Sequence, residues 1–417
     1  MTSPLVPILG EVRGRFAHVD ACPFTGSRIF FENAGGALTL NSVAETSGKF
    51  AAIPDNQGRA NGAAAALMQT IAQAKADAKT LLGIDAGQIF VGESGTELLF
   101  RLIRTAAMNA SKGAVIGSTV EHPASRSAAR KWAGHAGHSY ISVPHDDATG
   151  TVLPDAYAAL MQADVRVATI LHTSPVTGMT NDVAAIAAAI RAKAPDAFII
   201  VDGIQHASHG AIDLGAMDVD GYVISPYKVF SRHGYGIAWA SDRLSQQSLE
   251  ALIDGPTENW ELGTRDTGAY ATFSDVVRYF EWLGSQVSSG KDLTQRERIE
   301  QAGAAIHAHE KSLTDAMLFG TGNQAGLTEL PGIQIIGGAD NPKRAGLVAF
   351  AHGTLPAADI VDRLNAEGIR THTRKADHYS GNILNPLGLD AAVRVSMCHY
   401  NSQAEVAAFL AAMKAMT

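Results

Sequence analysis

The 417-residue sequence predicts an α/β protein: a large three-layer αβα domain built on a mostly parallel sheet, joined to a smaller α+β C-terminal domain. Three observations carry that reading. The chain exceeds the roughly 250–300 residues at which a single hydrophobic core stops growing. Between residues 85 and 242, short β-rich runs alternate with helical segments, as a parallel sheet with crossover helices requires. Beyond residue 290 that alternation gives way to a long helix and more widely spaced strands.

The β-rich runs are Gln88–Gly92, Ala114–Ser118, Tyr140–Val143, Arg166–His172, Ala197–Asp202, Gly221–Ser225 and Gly236–Ala240. Several are apolar almost throughout, the pattern of strands covered on both faces. Ala- and Leu-rich helical segments such as Thr96–Ala110 and Asn181–Ala192 separate them. A long helix over Asp292–Leu318 follows, then strands near Ile333–Ile336 and Gly346–Ala351, a helix at Ala357–Glu367, a strand at Ala392–Ser396 and a last helix, Gln403–Met416. Ser402 with Glu405 has capping-box spacing for that last helix. The elements divide the chain into an N-terminal segment (residues 1–30) expected to pack with the small domain, a large domain (31–280) and a small domain (281–417). That boundary falls inside a stretch, 265–295, that reads as helix.

Hydrophobic residues make up 46% and charged residues 18% of the chain, the latter below the roughly 25% of an average soluble protein, which excludes wholesale disorder. Lys+Arg total 33 against Asp+Glu 41, a net charge of −8 with no block of like charges. Nucleic acid is therefore not an expected partner. Cys22 and Cys398 are too few and too far apart for a disulfide framework. Pro4, Pro7 and Glu11 interrupt the start where a signal peptide needs a basic and then apolar run. With no eighteen-residue apolar stretch either, no membrane contact and a cytoplasmic location are expected.

The stretch Val201–Gly236 carries the most chemistry. Asp202 closes one apolar strand and Lys228 follows the next, and ligands of open α/β sheets sit beyond such strand ends. An acid and a lysine facing one ligand suit pyridoxal phosphate: the lysine forms an imine with the aldehyde, and the carboxylate keeps the pyridine nitrogen protonated. Taken singly, Lys228 reads first as a solvated surface lysine and Asp202 as a turn or cap residue. A phosphate site is expected at Gly92–Glu97, where Ser94 and Glu97 have capping-box spacing and Gly95–Thr96 would offer free amides. On its residues alone this segment is a helix cap or an anion site. No GxxxxGK[ST] loop is present, which argues against ATP.

Together these segments resemble the class V aminotransferase family of pyridoxal-phosphate enzymes (fold type I), closest to its cysteine desulfurase-like branch. The resemblance implies roles. Phe30–Gly36 looks like the opening strand and turn whose backbone lies near the substrate, which implicates Asn33 and Gly35. Gly95 and Thr96 look like the phosphate cup. Glu121–His122 resembles the pair whose histidine stacks on the pyridine ring and relays protons. Asp202 and Gln205 match the partners of the ring nitrogen and ring oxygen, Ser225 a phosphate ligand, and Lys228 the imine lysine. Thr173–Gly178 resembles a segment beside the substrate. Leu262–Thr264 resembles one that reaches the neighbouring subunit's phosphate cup, so a homodimer with Thr264 completing the partner's site is expected. Arg394 matches the clamp for the substrate α-carboxylate.

The sequence departs from that family at three places. The loop after Gly368–Ile369 holds Asp377 where desulfurases carry their catalytic cysteine, and persulfide chemistry needs a thiolate. Tyr227 precedes the lysine where histidine is common, and Pro175 stands where asparagine is usual. Arg232, His233, Arg370, His372, Arg374 and Lys375 read either as a solvated basic loop or as contacts for a second anionic group on the substrate. The expected activity is thus a β-lyase (C–S or related β-elimination) acting through Lys228, His122 and Asp202, with transamination the alternative and epimerisation ranked lower. No metal is expected. A competing reading, a metal-dependent hydrolase built on His206 and His209 with Asp202 and Asp213, is disfavoured by Gly203 and Gly210, which suit no regular helix. A non-catalytic scaffold is disfavoured by the intact Asp202, Lys228 and Arg394.

Overall fold

In the computed structural model, which describes residues 3–247, 250–255, 259–290, 292–322 and 324–416, seven strands form the large sheet. Their order is Gln88–Gly92, Gly236–Ala240, Gly221–Ile224, Phe198–Asp202, Val165–Leu171, Ala114–Ser118 and Ser139–Val143. Gly236–Ala240 runs antiparallel to both neighbours, and every other pairing is parallel. Alternation along the strands sends side chains into two separate cores. Phe90, Val115, Val167, Ile200, Val223 and Ala238 pack beneath the helices Gly95–Asn109 and Pro123–Ala136. Ile89, Ile116, Ile170, Val201, Ile224 and Trp239 face the opposite layer, with Ile186 and the buried helix Thr267–Val287. This is the three-layer arrangement the apolar runs predict.

The smaller sheet is antiparallel throughout, in the order Ile333–Ile335, Leu347–His352, Ala391–Ser396 and His372–Lys375. Val393 and Val395 pack against the helices Ala357–Ala366 and Gln403–Met416, so Arg394 between them turns to the other face, toward the large sheet. The segment read as a basic loop is therefore partly a strand: His372–Lys375 pairs with Ala391–Ser396, Arg394 opposite His372 and Ala392 opposite Arg374.

The N-terminal region ties the two sheets together. Ile29–Phe30 pairs in parallel with Ile369–Arg370 beside the small sheet, while Val12 and Phe16 enter the core of the large one. The long helix Gln295–Phe319 starts on a complete capping box at Thr294 and Glu297. Ser402 and Glu405 cap the last helix reciprocally, as their spacing predicts: the Glu405 amide donates to Ser402 Oγ at 3.2 Å and the Ser402 amide to Glu405 Oε2 at 2.7 Å.

Candidate active site

Asp202 is the last residue of its strand, and Lys228 ends the single 3₁₀ turn Pro226–Lys228 that follows the adjacent strand. Asp202 lies in register with Val223, so acid and lysine leave the same carboxyl edge of the sheet. Two residues beyond the lysine, the fully buried Phe230 adopts a left-handed backbone (φ 68°). For a bulky residue that conformation costs about 1–2 kcal/mol. Edge contacts with the rings of Phe16, Tyr279 and His399 hold it there. The turn that presents Lys228 is thereby locked by core packing.

A small cavity opens at this edge. Six residues singled out from sequence line it: Thr96, His122, Asp202, Gln205, Ser225 and Lys228. Leu171, Pro175, Ile204 and Tyr227 complete its wall. Burial pushes the Lys228 amine down to about 8, with Arg394 and Arg374 adding to the effect and Asp202 opposing it. Asp202 is 2% exposed. Burial raises its carboxyl to about 6, while the Ile204 amide donating to Oδ1 at 3.1 Å, Lys228 and Ser125 favour the charged form. Beneath it, burial and the charge of Asp202 push Glu121 up to about 8, so Glu121 is neutral at pH 7 and Asp202 alone carries charge.

His122 caps the helix Pro123–Ala136, its Nδ1 accepting from the Ala124 amide at 3.2 Å. Nε2 therefore carries the ring proton. Burial first, then Lys228, Arg374 and Arg126, lower its pKa to about 3, so the ring is neutral. Gln205 bridges two groups: Lys228 Nζ donates to its Oε1 at 3.5 Å, and its amide lies 3.1 Å from His209 Nε2. His209 Nδ1 in turn is 2.7 Å from Glu310 Oε2.

At the helix Gly95–Asn109, Ser94 Oγ accepts from the Glu97 amide at 3.1 Å, as expected. The reciprocal half differs, because Glu97 Oε2 reaches the Glu93 amide and its other oxygen pairs with Arg101. The helix start is pressed onto the neighbouring strand end: a Cβ at Gly95 would collide with Ser225 Oγ and lie 2.6 Å from Ile204 Cδ1. Gly95→Ala is expected to destabilise the fold by about 1–3 kcal/mol through overpacking. Urea denaturation would show it, and an unchanged midpoint would contradict the close approach.

Other sequence-predicted residues are placed differently. Gly35 lies beside the Arg394 guanidinium, 3.6 Å from Nη2 to an ideal Cβ. Asn33 is buried with its amide committed to structure: Nδ2 donates to Ser396 O at 2.8 Å and Oδ1 accepts from Tyr400. The side chain of Asn33 thus braces the turn that carries Gly35. Arg394 is 3% exposed, and its Nη1 donates to Pro175 O at 3.1 Å. The proline that removes a side-chain contact thus supplies a carbonyl. Tyr227 stacks on His233, with ring centroids 4.3 Å apart. Thr264 is exposed and is not among the residues lining the cavity of its own chain.

Neither cysteine reaches Lys228. Cys22 sits in the hairpin Ala21–Cys22/Gly26–Ser27, and Cys398 is buried beside His209 and Glu310. Those last three form the one group of His, Cys, Asp or Glu side chains close enough to share an ion among the described residues. The His206/His209 metal set does not assemble: His206 stacks on His172 and bonds Thr173 Oγ1 at 2.9 Å, while His209 faces Gln205 and Glu310. Glu310 and Ser125 escaped sequence reasoning. A glutamate on the buried stripe of a long helix was the available signal for the first, and Ser125 offered none.

A family model described as Aminotransferase class-V matches residues 29–409. The chain is 26% identical over 279 residues to a probable cysteine desulfurase of Xylella fastidiosa (strain 9a5c), a match covering 63% of this chain and 60% of that protein. It is 27% identical over 396 residues to a nonribosomal peptide synthetase-like enzyme of Aspergillus fumigatus, covering 91% of this chain and 25% of that protein. The matches thus span less than two thirds of either relative's length. Among solved structures, the apo cysteine desulfurase of Thermococcus onnurineus NA1 superposes with a TM-score of 0.81 at 19% identity, covering 100% of this chain and 98% of that one, a likeness of fold.

Proposed function

The chain belongs to the class-V aminotransferase family, and on that premise we propose that it is a pyridoxal-phosphate enzyme catalysing β-elimination on an amino acid without persulfide chemistry. When bound, the cofactor supplies an aldehyde for a lysine and a ring that accepts electrons from the Cα bond. The residues present fit it. Ser225, Thr96 and the start of the helix at Gly95 form a cradle that only glycine allows. Asp202 stands opposite as an anion for a ring nitrogen, and the buried Arg394 Nε has no hydrogen-bond partner among the described residues.

Lys228, with its amine brought near neutrality, binds the aldehyde and afterwards serves as the general base for the substrate Cα proton. His122, neutral, presents a flat ring face and an Nε2 proton to the cavity. Arg394 holds the α-carboxylate and so fixes which Cα bond stands across the ring. The observation that carries elimination over desulfuration is the cavity wall, which offers the lysine and no thiol. Transamination uses the same residues and remains the second reading.

Product analysis with a panel of amino acids tests the choice. Pyruvate and ammonia formed without a keto-acid acceptor are expected; amino-group transfer that requires the acceptor would replace elimination with transamination. The same reading makes the active species a cytoplasmic homodimer, Thr264 entering the partner's cavity. Sedimentation of a fully active monomer would remove that role.

A further inference from the structure

The six basic residues gathered near the site in sequence have different fates. Arg370 and His372 both contact Glu32, at 3.0 and 3.3 Å. Arg232 pairs with Asp266, and His233 stacks on Tyr227. Lys375 is exposed and, by strand alternation, points to the face opposite Arg374. Arg374 remains. Among the described residues it has no ion pair and no hydrogen bond, and its Nε is buried without a partner.

Strand geometry says where Arg374 points. His372 lies opposite Arg394 in the antiparallel ladder, and directly opposed residues share a face. Arg374, two residues on, shares it too. That face is the one turned from the helices of the small domain toward the large sheet. Lys228, His122 and Arg394 all sense the charge of Arg374. The ring of Tyr379 lies 5.7 Å from its guanidinium and 5.7 Å from the His122 ring, which places all three at one mouth of the cavity. Two largely desolvated guanidinium groups thus lie beside one site; the charge of Asp377 reaches Arg374 and that of Glu32 reaches Arg394, yet among the described residues no carboxylate makes an ion pair with either. A single carboxylate satisfies one fork and leaves the other without a bonded anion.

We propose that Arg374 holds a second anionic group of the substrate, so that the enzyme acts on amino acids whose side chain is itself negatively charged. The proposal rests on Arg394 taking the α-carboxylate. Its test is equilibrium binding of succinate and of butyrate to the cofactor-loaded protein, measured by calorimetry, with the visible band of the bound cofactor as the check on loading. Succinate is expected to bind about ten- to a hundredfold tighter, the range of one further charge-assisted pair. Arg374→Gln is expected to bring the two affinities together, succinate losing far more than butyrate, and Arg374→Lys to restore part of the difference. Equal affinities in the wild type, binding of neither ligand, or a preference that survives Arg374→Gln would overturn the proposal. Butyrate binding that survives Arg394→Gln would instead overturn the α-carboxylate assignment beneath it, and a protein that takes up no cofactor would overturn the whole reading of the site.

Discussion

Lys228→Ala is expected to lose the borohydride-sensitive visible band and to lower turnover by at least about 10³–10⁴-fold, the scale of removing a positioned general base together with a covalent anchor. Folding should be spared. Among the described residues the amine makes a single long hydrogen bond, to Gln205 at 3.5 Å. The turn that carries it is fixed by Phe230 and its aromatic neighbours, not by the lysine side chain. Urea denaturation with a near-native midpoint, alongside lost absorbance, would separate chemistry from stability. The pH dependence adds a second check. Only the unprotonated amine captures an aldehyde, so uptake of cofactor by the apoprotein should rise about tenfold per pH unit below pH 8 and level off above it. A rate still climbing at pH 10 would mean that burial and the two arginines do not act on this lysine. Wild-type turnover in Lys228→Ala would end the assignment.

Asp202→Asn preserves shape and the contact with the Ile204 amide while removing a charged carboxylate from the site. At about 4 Å and an effective dielectric of 20, the lost attraction to a ring cation is worth roughly 4 kcal/mol, or about three orders of magnitude in rate. The pH profile distinguishes this from a packing defect. Asp202 is raised to about 6, so its charge is present above pH 6 and is lost as the pH falls through that value. Wild-type activity should therefore show an acid limb at or below pH 6, and the variant should lack it. Glu121→Gln should change little at pH 7, because Glu121 is already neutral there. A variant at Asp202 with native activity and an unchanged acid limb would exclude the ring-nitrogen role.

The strands of the large sheet were legible because burial on both faces makes each run apolar almost throughout. Their order was not: Gln88–Gly92 lies beside Gly236–Ala240, and nothing in either segment encodes that distant pairing. Asp202 and Lys228 could be read because chemistry at a strand end needs only two strands and their direction. The strand His372–Lys375 was missed because its side chains are polar on both faces, one toward the site and one toward water. Glu310 and Ser125 act through contacts between remote segments, which a linear pattern does not contain. The commitment of the Asn33 side chain to the backbone of Ser396 and the hydroxyl of Tyr400 is likewise a contact between remote segments that no linear pattern contains.

The pairing of Ile29–Phe30 with Ile369–Arg370 has a consequence for how the protein is made. During synthesis the first of these strands leaves the ribosome about 340 residues ahead of the second, when its partner edge does not yet exist. The turn at Gly35 and the arginines it faces come together only once the chain has been made through Arg394. Nascent chains stopped short of residue 369 therefore hold an unsatisfied strand edge, the feature that draws aggregation and chaperones.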